Sequence, residues 1–391
     1  MQLLNSLQTQ WSYIPEHLQT SLHDIINQLQ IDSKPSIKHP SYKPLELPES
    51  TISHFQQLPP DLQNKLLSLQ LRNFLYGIYY NGSLKRALSP SVEATNVALN
   101  QNLENNTFFG VDISFYDRLH ESNQSEGYFN HDWQVVREET DGSLAVHKGG
   151  LTLHIESDRN SLQSSLASTS LRHLQPQQPS VRVGNLVAVK LPKNLVQNGF
   201  YMAVANAGAP ENNQELVRIY FNFSPDGAVA VMNSLTAQLN AISVAFKFKT
   251  LYNPSDYERY DSAVLYFDKS NYEAIHPVLE RVYLEHQSHF SEEVPLFTKW
   301  LAPGLACAEE PTHKFSEQES FGTNRCQIVA NALLDAWQQN NDTPHGRMAS
   351  ILQHFSLEEI ELQRPYLNAN SEDIYTPLQG YSNPIGFVNL L

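Results

Sequence analysis

Apolar residues at helical spacing open the chain: Leu18, Leu22, Ile25, Ile26 and Leu29 share one face, and Leu62, Leu66, Leu69 and Leu75 repeat more loosely. Between them, Lys34-Pro35 through Pro48 is rich in proline, which denies backbone donors and helical geometry, so an extended linker is predicted. Phe74-Leu75-Tyr76-Gly77-Ile78-Tyr79-Tyr80 is unusually aromatic and serves either as helix-end packing or as the wall of a peptide groove. The polar stretch from Asn96 to Asn106 separates this helical part from the rest.

From Trp133 the period changes from helix to strand. Trp133 to Val136, a turn at Asp141-Gly142 and Leu144 to Val146 form a hairpin, continued by Leu151 to Ile155. Ser157 to Pro179, rich in Ser and Gln, is an exposed loop. Val217-Arg218-Ile219-Tyr220-Phe221-Asn222-Phe223 is a strand with its odd-numbered residues on one face. Ser224-Pro225 opens a helix carrying Val231, Leu235, Leu239 and Ile242. Strands Val244–Leu251 and Ser262–Phe267 follow, and Ser270 with Glu273 matches a capping box for another helix. This β-α-β-β-α order predicts an α+β fold, a split and mostly antiparallel sheet backed by helices as in ferredoxin-like layouts. Helices from Phe321 to Gln339 and after Thr343-Pro344 complete three regions: 1–105 helical, 106–290 central α+β, and 291–391 helical, packing on the centre.

Composition narrows the function classes. A chain of 391 residues with 26 Lys+Arg against 41 Asp+Glu carries a net charge of -15, which repels nucleic acid and anionic membrane. An anion site in such a chain must be a local basic pocket. The start lacks a basic region followed by an apolar run, no stretch approaches the roughly 18 apolar residues of a membrane span, and the expected compartment is the cytoplasm. The two cysteines, Cys307 and Cys326, are expected as reduced packing thiols. His286 and His289 beside Glu285 are taken as a solvated face, so no metal or other cofactor is expected. Gly-rich phosphate loops, His-Glu-x-x-His and Gly-x-Ser-x-Gly are all missing.

Strand alternation places Arg218, Tyr220 and Asn222 on one face of their strand, and Lys247 and Lys249 on one face of theirs. Lys190 interrupts the apolar run Leu186 to Leu191, and Lys193 follows it. Ser320 caps the helix from Phe321, whose N-terminus attracts anions, and Arg325 lies one turn in. A cation emerging from an apolar strand is costly unless an anion accompanies it. The bland alternative is amphipathic strands whose cations face water. Arginine matches phosphate oxygens, while a desolvated lysine can lose its proton near neutral pH. That division suits β-elimination of phosphate from phosphoserine or phosphothreonine.

At these residues the chain resembles the HopA-type effector family. The resemblance rests on Val189-Lys190-Leu191-Pro192-Lys193-Asn194-Leu195, Gly199-Phe200-Tyr201, Val217 to Asn222, Tyr257-Glu258-Arg259-Tyr260-Asp261 through Phe267, and Pro295 to Lys299. Ala302 to Ala306, Ser320-Phe321-Gly322 and Arg325-Cys326 extend it, over roughly residues 130 to 375. It implies a metal-free carbon–oxygen lyase of the class V lanthipeptide and thioamitide type. Such a lyase removes phosphate that a separate Ser/Thr peptide kinase has placed on a precursor peptide, leaving dehydroalanine or dehydrobutyrine. The expected base is Lys190 or Lys249 and the expected acid His154 or Tyr252. Arg218, Arg259, Arg325, Lys193 and Lys247 are expected to hold the phosphate. The alternative is a non-catalytic, effector-like module that binds a phosphopeptide or protein through the same pocket.

Overall fold

The structure, a computed structural model, describes residues 14–32, 36–46, 52, 55–91, 110–156, 162–164, 181–210 and 215–381. The segments expected as a polar spacer, 96–106, and most of the Ser/Gln-rich loop lie outside the described residues.

The first helix, α1 (Glu16–Gln28), buries Leu18, Leu22, Ile25 and Ile26, as its spacing predicts. The proline-rich segment after it differs from expectation. Residues 36–46 are not a linker but two strands of a small antiparallel sheet: β1 (Gln30–Asp32), β2 (Ser36–His39) and β3 (Tyr42–Glu46), in the order β1-β2-β3. Pro44 falls where the β2–β3 register shifts, between the Ile37–Leu45 and His39–Tyr42 pairs, so no regular ladder bond needs its N–H. Helix α2 (Pro60–Leu75) buries Leu67, Leu71, Phe74 and Leu75, whereas Leu62 is exposed, so its core face is rotated from the one the leucine repeat suggested. It runs on as a π-helical turn, Tyr76–Tyr80.

After α3 (Ile113–Ser122) come β4 (Tyr128–Glu138), β5 (Leu144–Lys148), β6 (Leu151–Ile155), β7 (Leu162–Ser164) and β8 (Leu186–Leu191). They form a five-stranded sheet in the order β6-β5-β4-β8-β7, with its own small core of Trp133, Val135, Val146, Val187 and Val189.

The main sheet comprises β9 (Asn194–Gln197), β10 (Phe200–Val204), β11 (Leu216–Phe221), β12 (Phe246–Leu251), β13 (Ala263–Asp268), β14 (Lys299–Ala302) and β15 (Leu305–Glu309). Its order is β14-β15-β11-β13-β12-β10-β9, antiparallel at each step. Strand β13 lies between β11 and β12, so the unit β11, α4 (Pro225–Ala241), β12, β13, α5 (Tyr272–His286) is the split β-α-β-β-α arrangement expected from the sequence. Ser224 caps α4 by accepting from the Gly227 N–H. The cap of α5 differs from expectation. Asp268 accepts from the Ser270 N–H, a short 3₁₀ turn precedes the helix, and no Ser270–Glu273 box forms. The Asp268 carboxylate takes the Ser270 N–H that Glu273 would have accepted in a capping box.

Val217, Ile219, Phe221, Phe246, Phe248, Leu265 and Phe267 are buried in the large core, where α4 packs on β12 and α3 on β10. The opposite face of β11 is covered by the π turn and by α6 (Phe321–Gln338), through ring contacts of Tyr80 and Phe321 with Tyr220. Helix α7 (Pro344–Leu357), capped by Thr343, packs on α6. No helix among the described residues is long and apolar enough to cross a membrane.

Candidate functional site

The register of the main sheet decides which cations meet. Arg218 pairs with Tyr266, Lys247 with Tyr266, and Lys249 with Val264, so Arg218, Tyr220, Lys247, Lys249, Val264 and Tyr266 share one face. Tyr266 is the common floor: Arg218 Cζ lies 5.1 Å, Lys249 Nζ 5.5 Å and Lys247 Nζ 6.0 Å from its ring centroid. Lys249 Nζ also sits 4.5 Å from the Phe200 centroid. Such faces attract cations without neutralising them.

Above this floor Arg218, Lys249 and Arg259 line one cavity of about 20 Å³, with Tyr76, Tyr80, Tyr220, Asp261 and Ser320 among its other walls. That volume holds about one water. An ion of phosphate size enters only if side chains move.

Two carboxylates hold the arginines in place. Arg218 Nε donates to Glu310 Oε2, while Glu310 Oε1 accepts from Lys314 Nζ at 2.5 Å. Burial works against the Arg218 charge, but Glu310 and the facing tyrosines more than offset it, and its pKa lies well above the ordinary value. Burial likewise pushes Glu310 up; Arg218 and Lys314 together pull it lower, below the usual carboxylate range. Arg259 grips Asp261 through Nε at 2.5 Å and Nη2 at 2.9 Å, and Tyr76 Oη donates to the same carboxylate at 3.5 Å. The two arginines differ in what remains. Arg218 makes its hydrogen bond through Nε alone, leaving both terminal nitrogens without a hydrogen-bond acceptor among the described residues.

Lys249 has no carboxylate within ion-pairing range among the described residues. The Tyr220 hydroxyl is buried and makes no hydrogen bond of normal geometry. Tyr80 and Arg218 are its electrostatic neighbours, and burial above all raises its pKa, keeping it protonated. Ser320 caps α6 with Thr323 in a reciprocal box, so the positive end of that helix borders the cavity.

The remaining candidates lie elsewhere. Lys190 is exposed on β8 of the five-stranded sheet, opposite Phe129, and does not join the cavity. His154 is exposed on β6 of that sheet, beside Glu139 at 3.2 Å. Lys193 donates to the carbonyls of His120 and Asn123, each at 2.9 Å, and so ties down the end of α3. Tyr252 is buried against Gly199, whose N–H its hydroxyl accepts at 3.0 Å. Arg325 is fully buried and donates to the carbonyls of Pro365 and Leu367 and to Asn324, which anchors the C-terminal segment. Burial lowers its pKa to about 10, so it stays charged at neutral pH. Lys247 shares the floor with Lys249 but not the cavity wall. Asn222 turns to the loop, donating to the Glu293 carbonyl.

Sequence reasoning missed Glu310, Asp261 and the Tyr76–Tyr80 wall as parts of one site. The signal for Asp261 was present, two residues beyond Arg259. Glu310 sits 92 positions from Arg218, and no local pattern joins them. His289 is half-buried beside Ser224 rather than part of a solvated face. No group of His, Cys, Asp or Glu among the described residues could hold a metal ion, and Cys307 and Cys326 are buried free thiols.

Lys249, Arg218, Arg259 and Ser320 all fall within one recognised stretch of sequence. Residues 191–367 match the HopA1 effector protein family. The HopA1 match thus takes in the main sheet's central strands, the Glu310 loop and α6, whereas Tyr76 and Tyr80 precede it. No curated protein matches the sequence. Among solved structures, the effector protein from Pseudomonas syringae pv. tomato strain DC3000 is similar at 17% identity and a TM-score of 0.38, covering 66% of this chain and 81% of that one. The effector protein from Pseudomonas syringae pv. syringae strain 61 is similar at 15% identity and a TM-score of 0.34, covering 44% of this chain and 63% of that one.

Proposed function

We propose that this protein removes phosphate from a phosphoserine or phosphothreonine peptide by β-elimination at the Lys249–Arg218–Arg259 cavity. The observation that carries the reading is the meeting, around one cavity, of a lysine without a carboxylate partner, an arginine that binds its carboxylate through Nε alone and a buried tyrosine hydroxyl beside it. Lys249 takes the α-proton. The released electron pair forms the carbon–carbon double bond, the carbon–oxygen bond breaks, and phosphate leaves with that bonding pair. Arg218 and the N-terminus of α6 hold the departing charge, and Tyr220 donates a hydrogen bond to it. The proton on Lys249 then passes to water.

A second reading is favoured by one observation. Both arginines already have carboxylate partners, which suits a module that exchanges them for a phosphopeptide without turnover. Incubation with a phosphothreonine peptide and mass spectrometry separates the two. The lyase predicts loss of one phosphoric acid from the peptide, falling about a hundredfold or more in Lys249→Met. Binding without that loss leaves the module, and full activity in Lys249→Met overturns Lys249 as the base.

A further inference from the structure

On the far side of the π turn lies a groove of about 660 Å³. The two sites share their partition. Tyr76 and Tyr80 line the cavity while Ile78 and Tyr79 line the groove, and Arg259 and Asp261 face the cavity while Tyr260 faces the groove. The groove's chemistry is the reverse of the cavity's. Among the described residues, Glu16, Asp24, Glu292 and Glu293 line it against Lys85, its only ammonium. Glu16, Glu292 and Glu293 are exposed and have no ion pair among the described residues. Asp24 accepts from the Tyr79 hydroxyl at 2.8 Å, and His39 Nε2 lies 3.2 Å away.

Half-buried aromatic rings stand among these carboxylates: Tyr42, Tyr79, Tyr260 and Trp300. One cation already uses them. Lys85 Nζ lies 5.3 Å from the Tyr260 centroid and 2.8 Å from its hydroxyl, with Glu293 close enough to favour its charge. Carboxylates beside ring faces are what recognition of lysine and arginine side chains requires, since the ring takes the desolvated cation and the carboxylate supplies counter-charge. The volume accommodates several side chains of an extended segment.

We propose that this groove docks a positively charged peptide segment rich in lysine or arginine, independently of any phosphate. The chain's overall charge of -15 steers such a segment inward. The site stands apart from the elimination chemistry: it requires neither Lys249 nor turnover.

The test is fluorescence anisotropy with a labelled, unphosphorylated Lys/Arg-rich peptide and an Asp/Glu-rich peptide of equal length. The basic peptide should bind with an affinity that falls as salt rises, and the acidic one should not bind. The double variant Glu292→Gln/Glu293→Gln alters exposed side chains and should weaken binding about fivefold. Trp300→Leu should weaken it by a similar factor, and Lys249→Met should leave it unchanged. Equal affinity across wild type, the double variant and Trp300→Leu would overturn the assignment, as would loss of binding in Lys249→Met alone.

Discussion

Glu310→Gln removes the charge that compensates Arg218 while keeping a side chain of the same shape. The pair is largely shielded, with the Arg218 side chain 10% and the Glu310 side chain 19% exposed. Breaking a buried pair from one side costs roughly 3–5 kcal/mol. The amide oxygen of glutamine can still accept from Nε, and the residual exposure screens part of the charge, so about 2–3 kcal/mol is expected. Lys314, more exposed, loses a partner at little cost. For a chain of this size the loss lowers Tm by roughly 3 °C. The cavity should then accept an external anion in place of the missing carboxylate. Inorganic phosphate at a hundred times its Kd returns about 2.7 kcal/mol to any state that binds it. Differential scanning fluorimetry of wild type and Glu310→Gln, with phosphate against chloride at matched ionic strength, reads both effects. Phosphate should raise the variant's Tm by several degrees more than the wild type's, and the extra rise should vanish in Glu310→Gln/Lys249→Met. An equal phosphate response in the variant and wild type, or an unchanged Tm on substitution, would refute the reasoning.

Other outcomes follow from neighbouring contacts. Because the Glu310 pKa is depressed in the folded state, its contribution is complete above the ordinary carboxylate value of about 4.3 and is lost as pH falls through the folded value. The Tm curves of wild type and Glu310→Gln should therefore converge as pH falls below that ordinary value of about 4.3. Arg325→Met leaves the Pro365 and Leu367 carbonyls without their donor, and urea denaturation should show a loss of about 3–5 kcal/mol. Gly322→Ala places a methyl 2.3 Å from ring carbons of Tyr80 on the cavity wall. It should cost about 1–3 kcal/mol by the same measurement and reduce phosphate binding in parallel.

The parts of the fold visible in the sequence were those set by local period. Alternation along β11 and β12 put Arg218 with Tyr220 and Lys247 with Lys249, and the sheet register then joined the two sets through Tyr266. Serine and threonine caps before proline marked the starts of α4 and α7 for the same local reason. What stayed hidden depends on pairing across the chain. Lys190 interrupts an apolar run much as Lys249 does, but β8 pairs with β4 in a different sheet, and nothing within the strand encodes that choice. Arg325 looked like an anion ligand on a capped helix. Only the return of residues 365–367 across α6 shows that backbone carbonyls use its donors instead. The aromatic run ending at Tyr80 suggested a groove wall, and the π turn makes it the wall of two sites by sending alternate tyrosines to opposite sides.

A crystal structure of the Lys249→Met variant soaked with a phosphothreonine peptide puts the central claim to its most direct test, since the substrate persists without its base. The phosphate should occupy an enlarged cavity with its oxygens on the Arg218 terminal nitrogens and Glu310 swung toward Lys314. A peptide bound with its phosphate elsewhere, and the Arg218–Glu310 pair intact at saturation, would contradict it.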